Sequence, residues 1–484
     1  MKNKVKFGTS GIRGLVSDMT DKVCYAYTLS FLHYLQSVDA IQVGQAVGVG
    51  GDLRNSTPRI MNAVAAAVVD AGYKVVNCGL LPTPALALYG IQRQIATVMV
   101  TGSHIPEDRN GIKFNKPDGE VLKQDEQGIL AQDPRLNDAL FDGQENLLTK
   151  NYLPEIDLAA EQHYLARFLD FFPKNCLTDQ KIGVYQHSSV ARDLLPKILS
   201  ALGAEVVCLG RSDHFISVDT EAIRPEDVVL AKKWSAEFSL DCIISTDGDA
   251  DRPLVSDENG EWFRGDVAGI LVAKFLHADA VVTPVSSNSA VEKSDFFTQV
   301  SRTKIGSPYV ISAMQALTDS VSVVGYEANG GFLQNTAIQL NNKQLSALPT
   351  RDAVIVPLCL LLQAQQLACP LSGLLNTLPA RFTYSGRIKA FPTELSQSIL
   401  ATMQSGQLEQ DANKLASLFV GKIEQATAFD YTDGVRITLS NDEVVHLRGS
   451  GNAPELRCYT EADSYERAQE LNQLCIQQMH EWKS

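Results

Sequence analysis

The strongest constraint on the fold of this chain is a strand–helix–strand unit that occurs more than once. One copy spans residues 46–79 and a second spans 181–210. In both, an apolar strand is followed by a helical pattern, a glycine-ended turn and another strand. A looser third copy spans 280–325. Repeated βαβ units predict sheets of mainly parallel strands covered by helices.

The C-terminal part has a different pattern. Residues 434–439, 444–448 and 454–460 read as strands joined by short turns, and 465–482 as a closing helix. This predicts a small α+β domain with an antiparallel sheet.

The expected fold class is therefore α/β. Three similar domains with mixed, mainly parallel sheets are joined to the C-terminal α+β domain around a central cleft. A chain of 484 residues suits roughly three to four domains. The predicted division is 1–150, 151–255, 256–373 and 374–484.

Composition narrows the class of function. The net charge of −14 argues against a nucleic-acid-binding surface. Nine dispersed cysteines without a C-x-x-C pair favour reduced thiols and a cytoplasmic protein. The charged start of the chain lacks the apolar core of a signal peptide. The apolar run 353–362 is short and interrupted by Pro357, so it predicts a buried helix rather than a membrane span.

A polar loop at 101–114 follows the apolar run 95–100, which reads as a buried strand. Ser103 and His104 are neighbours in it, and Lys113 lies downstream. Open α/β sheets present reactive groups at such strand ends. A lone Ser-His pair is more typical of a polar surface turn, so the functional interpretation depends on three further loops.

The second loop carries Asp247, Asp249 and Asp251, which alternate with small residues directly after an apolar strand. In an extended loop this spacing turns the carboxylates to one side. They repel one another unless a cation lies between them, and all-oxygen ligation suits Mg²⁺. An EF-hand is rejected because Arg252 stands where that loop needs glycine. A solvated acidic turn is the remaining alternative.

The last two loops suit a sugar phosphate. In 325–331, Glu327 and Asn329 can hydrogen-bond sugar hydroxyls, although this segment alone is weak. In 448–457, two arginines flank a Gly/Ser segment, a composition typical of a phosphate-binding loop or of a hairpin with solvated arginines.

Together these loops resemble the α-D-phosphohexomutase superfamily, and most closely its bacterial phosphomannomutases. The opening Phe7-Gly-Thr-Ser-Gly-Ile-Arg-Gly14 resembles the N-terminal motif of that family. The loops at 101–114, 247–251, 325–331 and 448–457 resemble its phosphoserine, metal, sugar and phosphate loops. Thr303-Lys-Ile-Gly-Ser-Pro-Tyr309 resembles a further loop of its third domain. The matches occur in the expected order along nearly the whole chain.

The resemblance implies a role for individual residues. Ser103 would carry the phosphoryl group, and one Mg²⁺ would be held by three aspartates and a phosphoryl oxygen on Ser103. His104 or Lys113 would handle protons. The remaining implied roles are Arg13 and Lys113 near the transferring phosphate, Arg252 facing the substrate, Glu327 and Asn329 on the sugar, and Arg448, Ser450, Asn452 and Arg457 on the non-reacting phosphate.

The chain departs from the family pattern at several positions. Gly102 and Ile105 replace an Ala and an Asn that are common in the phosphoserine loop, and Asn329 stands where the sugar loop often has Ser. Ser307-Pro308 replaces a segment in which some relatives carry His, so a base at that position is not transferred.

The predicted activity is the interconversion of hexose 6-phosphate and hexose 1-phosphate, with mannose as the favoured sugar. It would proceed through a phosphoserine and a hexose 1,6-bisphosphate, which also serves as activator. The expected partners are sugar phosphates, without nucleic acid or membrane, and the expected state is a monomer or homodimer. The alternatives are a phosphoglucomutase, a phosphoglucosamine mutase, a phosphatase that forms an aspartyl-phosphate, and a silent sugar-phosphate-binding relative.

Overall fold

The structure, a computed structural model, describes residues 5–8, 10–449 and 454–483. The chain divides into two units. The first contains residues 1–281 and 306–374, and the second contains 282–305 and 375–484. Ser450 and Asn452, two of the predicted phosphate ligands, lie outside the described residues.

The first sheet has the strand order β1-β2-β6-β5-β3-β4, with β7 paired to β6. Its elements are β1 (Lys6–Phe7), β2 (Gly11–Leu15), α1 (Asp21–Ser37), β3 (Ala46–Gly51), α2 (Thr57–Asp70), β4 (Lys74–Leu80), α3 (Thr83–Arg93), β5 (Ala96–Val100), β6 (Arg109–Lys116), β7 (Gly119–Glu120), α4 (Lys123–Leu130) and a short 3-10 helix (Asp138–Leu140). Apolar side chains of α1 and α2 pack with the strands in one core. The predicted Ser103 loop connects β5 to β6.

The second sheet has the order β11-β10-β8-β9. Its elements are α5 (Ala159–Phe171), β8 (Lys181–Tyr185), α6 (Leu194–Ala201), β9 (Glu205–Leu209), α7 (Pro225–Phe238), β10 (Cys242–Thr246) and β11 (Pro253–Val255). β10, β8 and β9 are parallel, as the βαβ pattern predicts, and β11 is antiparallel to β10. The predicted metal loop is the turn from β10 to β11.

The third sheet has the order β13-β12-β14-β15-β18. The elements of this segment are α8 (Gly265–Phe275), β12 (Ala280–Pro284), α9 (Ala290–Lys293), β13 (Gln299–Thr303), α10 (Ser307–Gln315), β14 (Val323–Tyr326), β15 (Phe332–Gln334), β16 (Ile338–Leu340), β17 (Lys343–Leu345), β18 (Leu348–Asp352), α11 (Ile355–Gln366) and a 3-10 helix (Leu371–Thr377). α9, β13 and the later half of β12 belong to the second unit. The predicted sugar loop joins β14 to β15.

The apolar run 353–362 forms part of α11, most of whose residues are buried. Among the described residues, no single helix is long and apolar enough to cross a membrane. One sharply bent pair, α11 with the following 3-10 helix, satisfies the criterion by length and composition only.

The C-terminal sheet is antiparallel throughout, in the order β19-β23-β22-β21-β20. Its elements are β19 (Phe382–Lys389), α12 (Thr393–Ala401), α13 (Leu408–Phe419), β20 (Ala426–Asp430), β21 (Val435–Leu439), β22 (Val444–Gly449), β23 (Glu455–Ala462) and α14 (Tyr465–Lys483). α12, α13 and α14 contribute to the core of this part.

The prediction of mixed sheets followed by an antiparallel C-terminal sheet is confirmed. The parallel share of the first sheet is smaller than predicted. β3 is parallel to β4 and β5, whereas β1, β2, β6 and β7 add antiparallel pairs. The reason is local, because the segment 101–108 returns the chain beside β5 without the crossover helix that parallel pairing needs. The predicted domain boundaries stay a prediction.

Candidate active site

Ser103 lies at the carboxyl end of β5 and is fully buried. Its φ of 53° places it in the left-handed region, which a non-glycine residue adopts only when its surroundings hold it there. Its Oγ donates to Asp247 Oδ2 at 2.6 Å and lies 3.2 Å from His104 Nδ1. The structure thus brings the predicted phosphoserine against the predicted metal loop.

Arg54 holds the Ser103 loop through hydrogen bonds to its backbone. Arg54 is 1% exposed, and its guanidinium donates to four backbone carbonyls of the loop. These are the carbonyls of Ser103, Ile105, Pro106 and Arg109. Asp52 pairs with Arg54 Nε at 3.1 Å and also accepts from Gly102 N and Thr101 Oγ1. This pair stabilises the strained backbone at Ser103.

Asp247 is held by the backbone of its own loop. Its Oδ1 accepts from the backbone N–H groups of Asp251 and Arg252, both at 3.2 Å, which leaves Oδ2 for Ser103. Burial, with the charges of Asp249 and Asp251, raises the pKa of Asp247 well above its ordinary value. This carboxylate therefore favours a nearby cation.

Asp249 and Asp251 each use one oxygen and leave the other open. Asp249 Oδ2 accepts from Thr83 Oγ1 and Lys113 Nζ, both at 2.6 Å. Asp251 Oδ2 accepts from Lys113 Nζ at 2.6 Å and from Arg351 Nε and Nη2 at 3.1 and 2.7 Å. The Oδ1 atoms of both aspartates are buried without a hydrogen-bond partner. Arg252 Nε lies 3.7 Å from Asp251 Oδ1.

These three carboxylates fit a divalent cation. One oxygen from each lies within 4.8 Å of the others. Buried, unpartnered carboxylate oxygens are costly unless a cation binds them, and hard cations prefer oxygen ligands. Among the described residues, this is the only group of three or more Cys, His, Asp or Glu side chains that meets this geometric criterion.

Lys113 and His104 have opposite protonation preferences. Burial lowers the pKa of Lys113, but the carboxylates of Asp249 and Asp251 more than compensate, so that the net pKa is raised. The guanidinium of Arg252 and burial lower the pKa of His104 to about 2. At neutral pH, Lys113 is therefore an ammonium ion and His104 a neutral imidazole. Of the two, only His104 can accept a proton.

Arg13 lies on β2 opposite Gly111 of the neighbouring strand β6. Burial and the cations Arg252 and Arg351 lower its pKa to about 10, so it stays charged at neutral pH. Since like charges disfavour one another, these guanidinium groups favour an anionic ligand.

The sugar loop follows β14, as predicted, and its two candidate side chains are buried. Glu327 Oε2 accepts from Arg351 Nη1 at 3.0 Å. Asn329 Oδ1 accepts from Gly331 N at 2.9 Å, so this side chain also shapes the turn. The structure places Glu327 in an ion pair that the sequence did not reveal.

A segment between β9 and α7 contacts two of these loops and Arg54. The ring of Phe215 lies 3.9 Å from Arg54 Cζ, Ser217 Oγ donates to the carbonyl of His104, and Thr220 Oγ1 donates to the carbonyl of Asn329 at 2.6 Å. The phosphoserine and sugar loops therefore share one backing segment.

Arg448 and Arg457, the predicted phosphate ligands, are directly paired across β22 and β23. Arg387 of β19 pairs with Arg457 in turn, so three arginines form a row on one face of the sheet. Arg448 Nε lies 2.9 Å from Asp433 Oδ1, and Arg457 Nη2 lies 3.4 Å from Glu455 Oε2. Like charges directly opposite one another destabilise a sheet, and a bound anion removes that cost.

Comparison with known proteins agrees with this arrangement. Sequence profiles of the phosphoglucomutase/phosphomannomutase family match the chain in four segments. Alpha/beta/alpha domains I, II and III match residues 4–135, 162–260 and 264–382, and the C-terminal domain matches 399–476.

Relatives cover nearly the whole chain. It is 44% identical over 468 residues to a phosphomannomutase of Salmonella muenchen, covering 96% of this chain and 94% of that one. It is 42% identical over 471 residues to a phosphomannomutase of Sinorhizobium fredii, covering 96% and 97%. The crystal structure of a putative phosphomannomutase from Thermus thermophilus superposes with a TM-score of 0.75 at 20% identity, covering 99% of this chain and 100% of that one.

The predicted class, a phosphohexomutase, is confirmed. The chain belongs to the phosphoglucomutase/phosphomannomutase family.

Proposed function

We propose that this protein interconverts hexose 6-phosphate and hexose 1-phosphate, that mannose phosphate is its preferred substrate, and that Ser103 carries the phosphoryl group. The observation that carries the proposal is the contact of buried Ser103 Oγ with Asp247 Oδ2 at 2.6 Å, beside two carboxylates with open oxygens. A phosphate carrier needs a cation beside it, and the open oxygens of Asp249 and Asp251 suit one. Relatives at 44% and 42% identity that are named phosphomannomutases support mannose.

We propose that Asp247, Asp249, Asp251 and a phosphoryl oxygen on Ser103 hold one Mg²⁺. When bound, the ion supplies charge neutralisation for the phosphoryl group during transfer. The direct contact between Ser103 and Asp247 supports this ligand set. Phosphorylation replaces the hydroxyl proton of Ser103 by an anion, and a carboxylate tolerates that anion only with positive charge between them.

The transfer step conserves one phosphoryl group and one proton. A sugar hydroxyl attacks the phosphorus on Ser103, the Ser103 Oγ–P bond breaks, and a new O–P bond forms to the sugar. The sugar hydroxyl loses its proton and Ser103 Oγ gains one. In this proposal His104, whose Nδ1 lies 3.2 Å from Ser103 Oγ, accepts and donates protons. The added negative charge on phosphorylated Ser103 raises the depressed pKa of His104.

The cations have fixed tasks in this proposal. Lys113 is held between Asp249 and Asp251, so it neutralises charge and does not act as a base. Arg13 and Arg252 attract the transferring phosphoryl group. Because these groups are already in place, little reorganisation accompanies the reaction.

The sugar and its second phosphate use other loops. Glu327 and Asn329 would bind sugar hydroxyls, and Arg448, Ser450, Asn452 and Arg457 would hold the non-reacting phosphate. Hexose 1,6-bisphosphate, formed after the first transfer, returns its other phosphoryl group to Ser103. The same compound serves as activator, because it phosphorylates a serine that has lost its phosphate.

A side-by-side assay tests the sugar. We expect kcat/KM for mannose 1-phosphate to exceed the values for glucose 1-phosphate and glucosamine 1-phosphate, with Mg²⁺ and catalytic hexose bisphosphate present. A higher value for glucose or glucosamine would identify a phosphoglucomutase or phosphoglucosamine mutase instead. Release of inorganic phosphate without isomerisation, through a hydroxylamine-labile enzyme intermediate, would identify a phosphatase that uses an aspartyl-phosphate.

A further inference from the structure

Arg351 contacts two loops that lie far apart in the sequence, the metal loop and the sugar loop. It lies on β18, and its side chain is 4% exposed. Two of its nitrogens, Nε and Nη2, donate to Asp251 Oδ2 of the metal loop. The third, Nη1, donates to Glu327 Oε2 of the sugar loop. A single guanidinium thus contacts one proposed metal ligand and one proposed sugar ligand.

The contact with Asp251 decides which carboxylate oxygen stays open. Arg351 and Lys113 both donate to Oδ2, and Oδ1 has no hydrogen-bond partner. If Arg351 were absent, Lys113 alone would hold this carboxylate, and rotation would cost fewer hydrogen bonds. Arg351 therefore fixes the oxygen that Asp251 offers to a cation.

The contact with Glu327 fixes the second loop. A buried carboxylate oxygen is costly without a cationic or hydrogen-bonding partner. Arg351 Nη1 is such a partner, at 3.0 Å, and it holds the carboxylate while Oε1 is free of this ion pair. The carboxylate is oriented before a sugar hydroxyl arrives.

The sugar loop leaves room for this bridge at Gly331. A Cβ on Gly331 would lie 2.3 Å from Arg351 Cδ and 2.6 Å from Cγ, well inside van der Waals contact. The space that a side chain at Gly331 would occupy is therefore filled by the aliphatic stem of Arg351. Because the guanidinium is a planar fork, it can serve both carboxylates at once, which a lysine ammonium cannot do with fixed geometry.

We propose that Arg351 is a positioning residue that orients Asp251 for the cation and Glu327 for the sugar, so that both sites depend on one side chain. This inference rests on the proposed function, which supplies the roles of Asp251 and Glu327. It adds a link between cation binding and sugar binding.

The test compares two dissociation constants of the full-length protein, and neither measurement requires catalytic turnover. The Mn²⁺ dissociation constant is measured by electron paramagnetic resonance, and that of mannose 6-phosphate by calorimetry. We expect Arg351→Lys to raise both constants at least about fivefold, the lower end of typical couplings between sites. Glu327→Gln should raise the sugar phosphate constant and leave the Mn²⁺ constant within about twofold, since Asp251 keeps both of its bonds to Arg351.

A second variant and a matched control separate positioning from a general structural role. Gly331→Ala keeps the charge but displaces the Arg351 stem, so it should raise both constants even if Arg351→Lys fails to fold. Arg167 is another buried arginine, held by Gln334 and Ser346. Arg167→Lys should lower the unfolding temperature and change neither constant.

The inference is overturned if folded Arg351→Lys or Gly331→Ala shifts neither constant, or only one of them. A wild-type protein that binds Mn²⁺ but no hexose phosphate would refute the proposed function instead. In that case the Mn²⁺ constants of wild type and Arg351→Lys still decide whether Arg351 orients Asp251.

Discussion

The two regions proposed to bind phosphate differ in how much of their structure is formed before a ligand binds. Around Ser103, the three aspartates are buried and hydrogen-bonded, and Asp249 and Asp251 each leave one oxygen open. Around Arg448 and Arg457, the side chains are 17% and 33% exposed and lie 2.9 and 3.4 Å from a carboxylate oxygen. The first region is preorganised for a reaction, whereas the second suits a phosphate that must bind and leave.

The difference follows from the tasks proposed for the two regions. Phosphoryl transfer gains from charges that need no reorganisation, so the Ser103 region gains from rigidity. The second region must accept either end of a bisphosphate in turn. Tight, desolvated contacts in the second region would slow the release of the bound phosphate group. Substitutions in the first region should therefore act on kcat, and substitutions in the second on KM.

The largest effect is expected for Ser103→Ala. Removing the carrier removes the covalent route, so kcat should fall by about 10⁴-fold or more. Steady-state assays with mannose 1-phosphate measure this. Ser235 on α7 is a matched control, because it is also buried and its hydroxyl has no hydrogen-bond partner. Ser235→Ala should retain full activity, and full activity of Ser103→Ala would refute the carrier role.

The next effect concerns the carboxylates. Asp249→Asn keeps the shape of the side chain and removes a charge from the proposed metal site. We expect a fall in kcat of about 10²- to 10³-fold and a higher Mg²⁺ requirement. Chelation of wild type with EDTA should abolish activity, and added Mg²⁺ should restore it.

Asp227 provides the control for that substitution. It is buried beside Tyr185 and Arg224. Asp227→Asn should reduce stability without altering the Mg²⁺ requirement. If chelation leaves the wild-type rate unchanged, the metal site is wrong.

In the second region, Arg457→Ala should act on binding. Loss of a charge-assisted hydrogen bond to phosphate costs about 2–3 kcal/mol, which raises KM about 30- to 150-fold with a smaller change in kcat. Arg387, in the same row, lies 3.6 Å from Glu455 and is 50% exposed. Arg387→Ala should change KM by less than about threefold. Equal effects of the two substitutions would contradict the predicted phosphate ligands.

The smallest effect is one of acid stability, and it should be similar in the two units. Burial lowers the pKa of His446 in the second unit and of His187 in the first to about 4. An unfolded histidine has a pKa of about 6.5, so below that pH the unfolded chain binds more protons. The stability contributed by each neutral histidine is present above pH 6.5 and is lost as the pH falls toward 4. At pH 5 each loss is about 2 kcal/mol.

His446→Gln should remove this loss in the second unit alone, since glutamine can still donate to the Asp433 carbonyl that His446 Nε2 contacts. Hydrogen exchange at pH 7 and pH 5, resolved to peptides of β22 and β8, measures it. If β22 loses as much protection at pH 5 in the variant as in wild type, His446 does not cause the loss.

The sequence indicated the proposed reacting groups more clearly than the residues that support them. Ser103 and the three aspartates lie in short motifs, each directly after an apolar strand, so local pattern was sufficient to find them. Arg54 and Arg351 were not predicted, because the loop carbonyls that Arg54 contacts and the carboxylates that Arg351 contacts are distant in sequence. Arg351 contacts Asp251 and Glu327 from another strand, and no local spacing records that.

The fold was predictable for similar reasons. The βαβ copies at 46–79 and 181–210 and the C-terminal strands β21, β22 and β23 have clear periodicity and occur near the predicted bounds. The looser third copy contains an additional strand, β13, and the C-terminal strands β19 and β20 were not predicted. The antiparallel additions to the first sheet were not predicted because β1 and β2 are short and the pairing of β2 with β6 is a long-range contact. The position of Arg387 beside Arg457 was not predicted either, because it depends on the register of β19 and β23, which the sequence does not specify locally.

The central claim is that Ser103 carries the phosphoryl group, and peptide-resolved mass spectrometry tests it most directly. Enzyme incubated with hexose 1,6-bisphosphate and Mg²⁺ is digested with and without prior hydroxylamine treatment. We predict one phosphate on the peptide containing Ser103, stable to hydroxylamine and lost when the enzyme is incubated with hexose monophosphate. A hydroxylamine-labile phosphate on the peptide containing Asp247, or turnover without any phosphate on Ser103, would contradict the account.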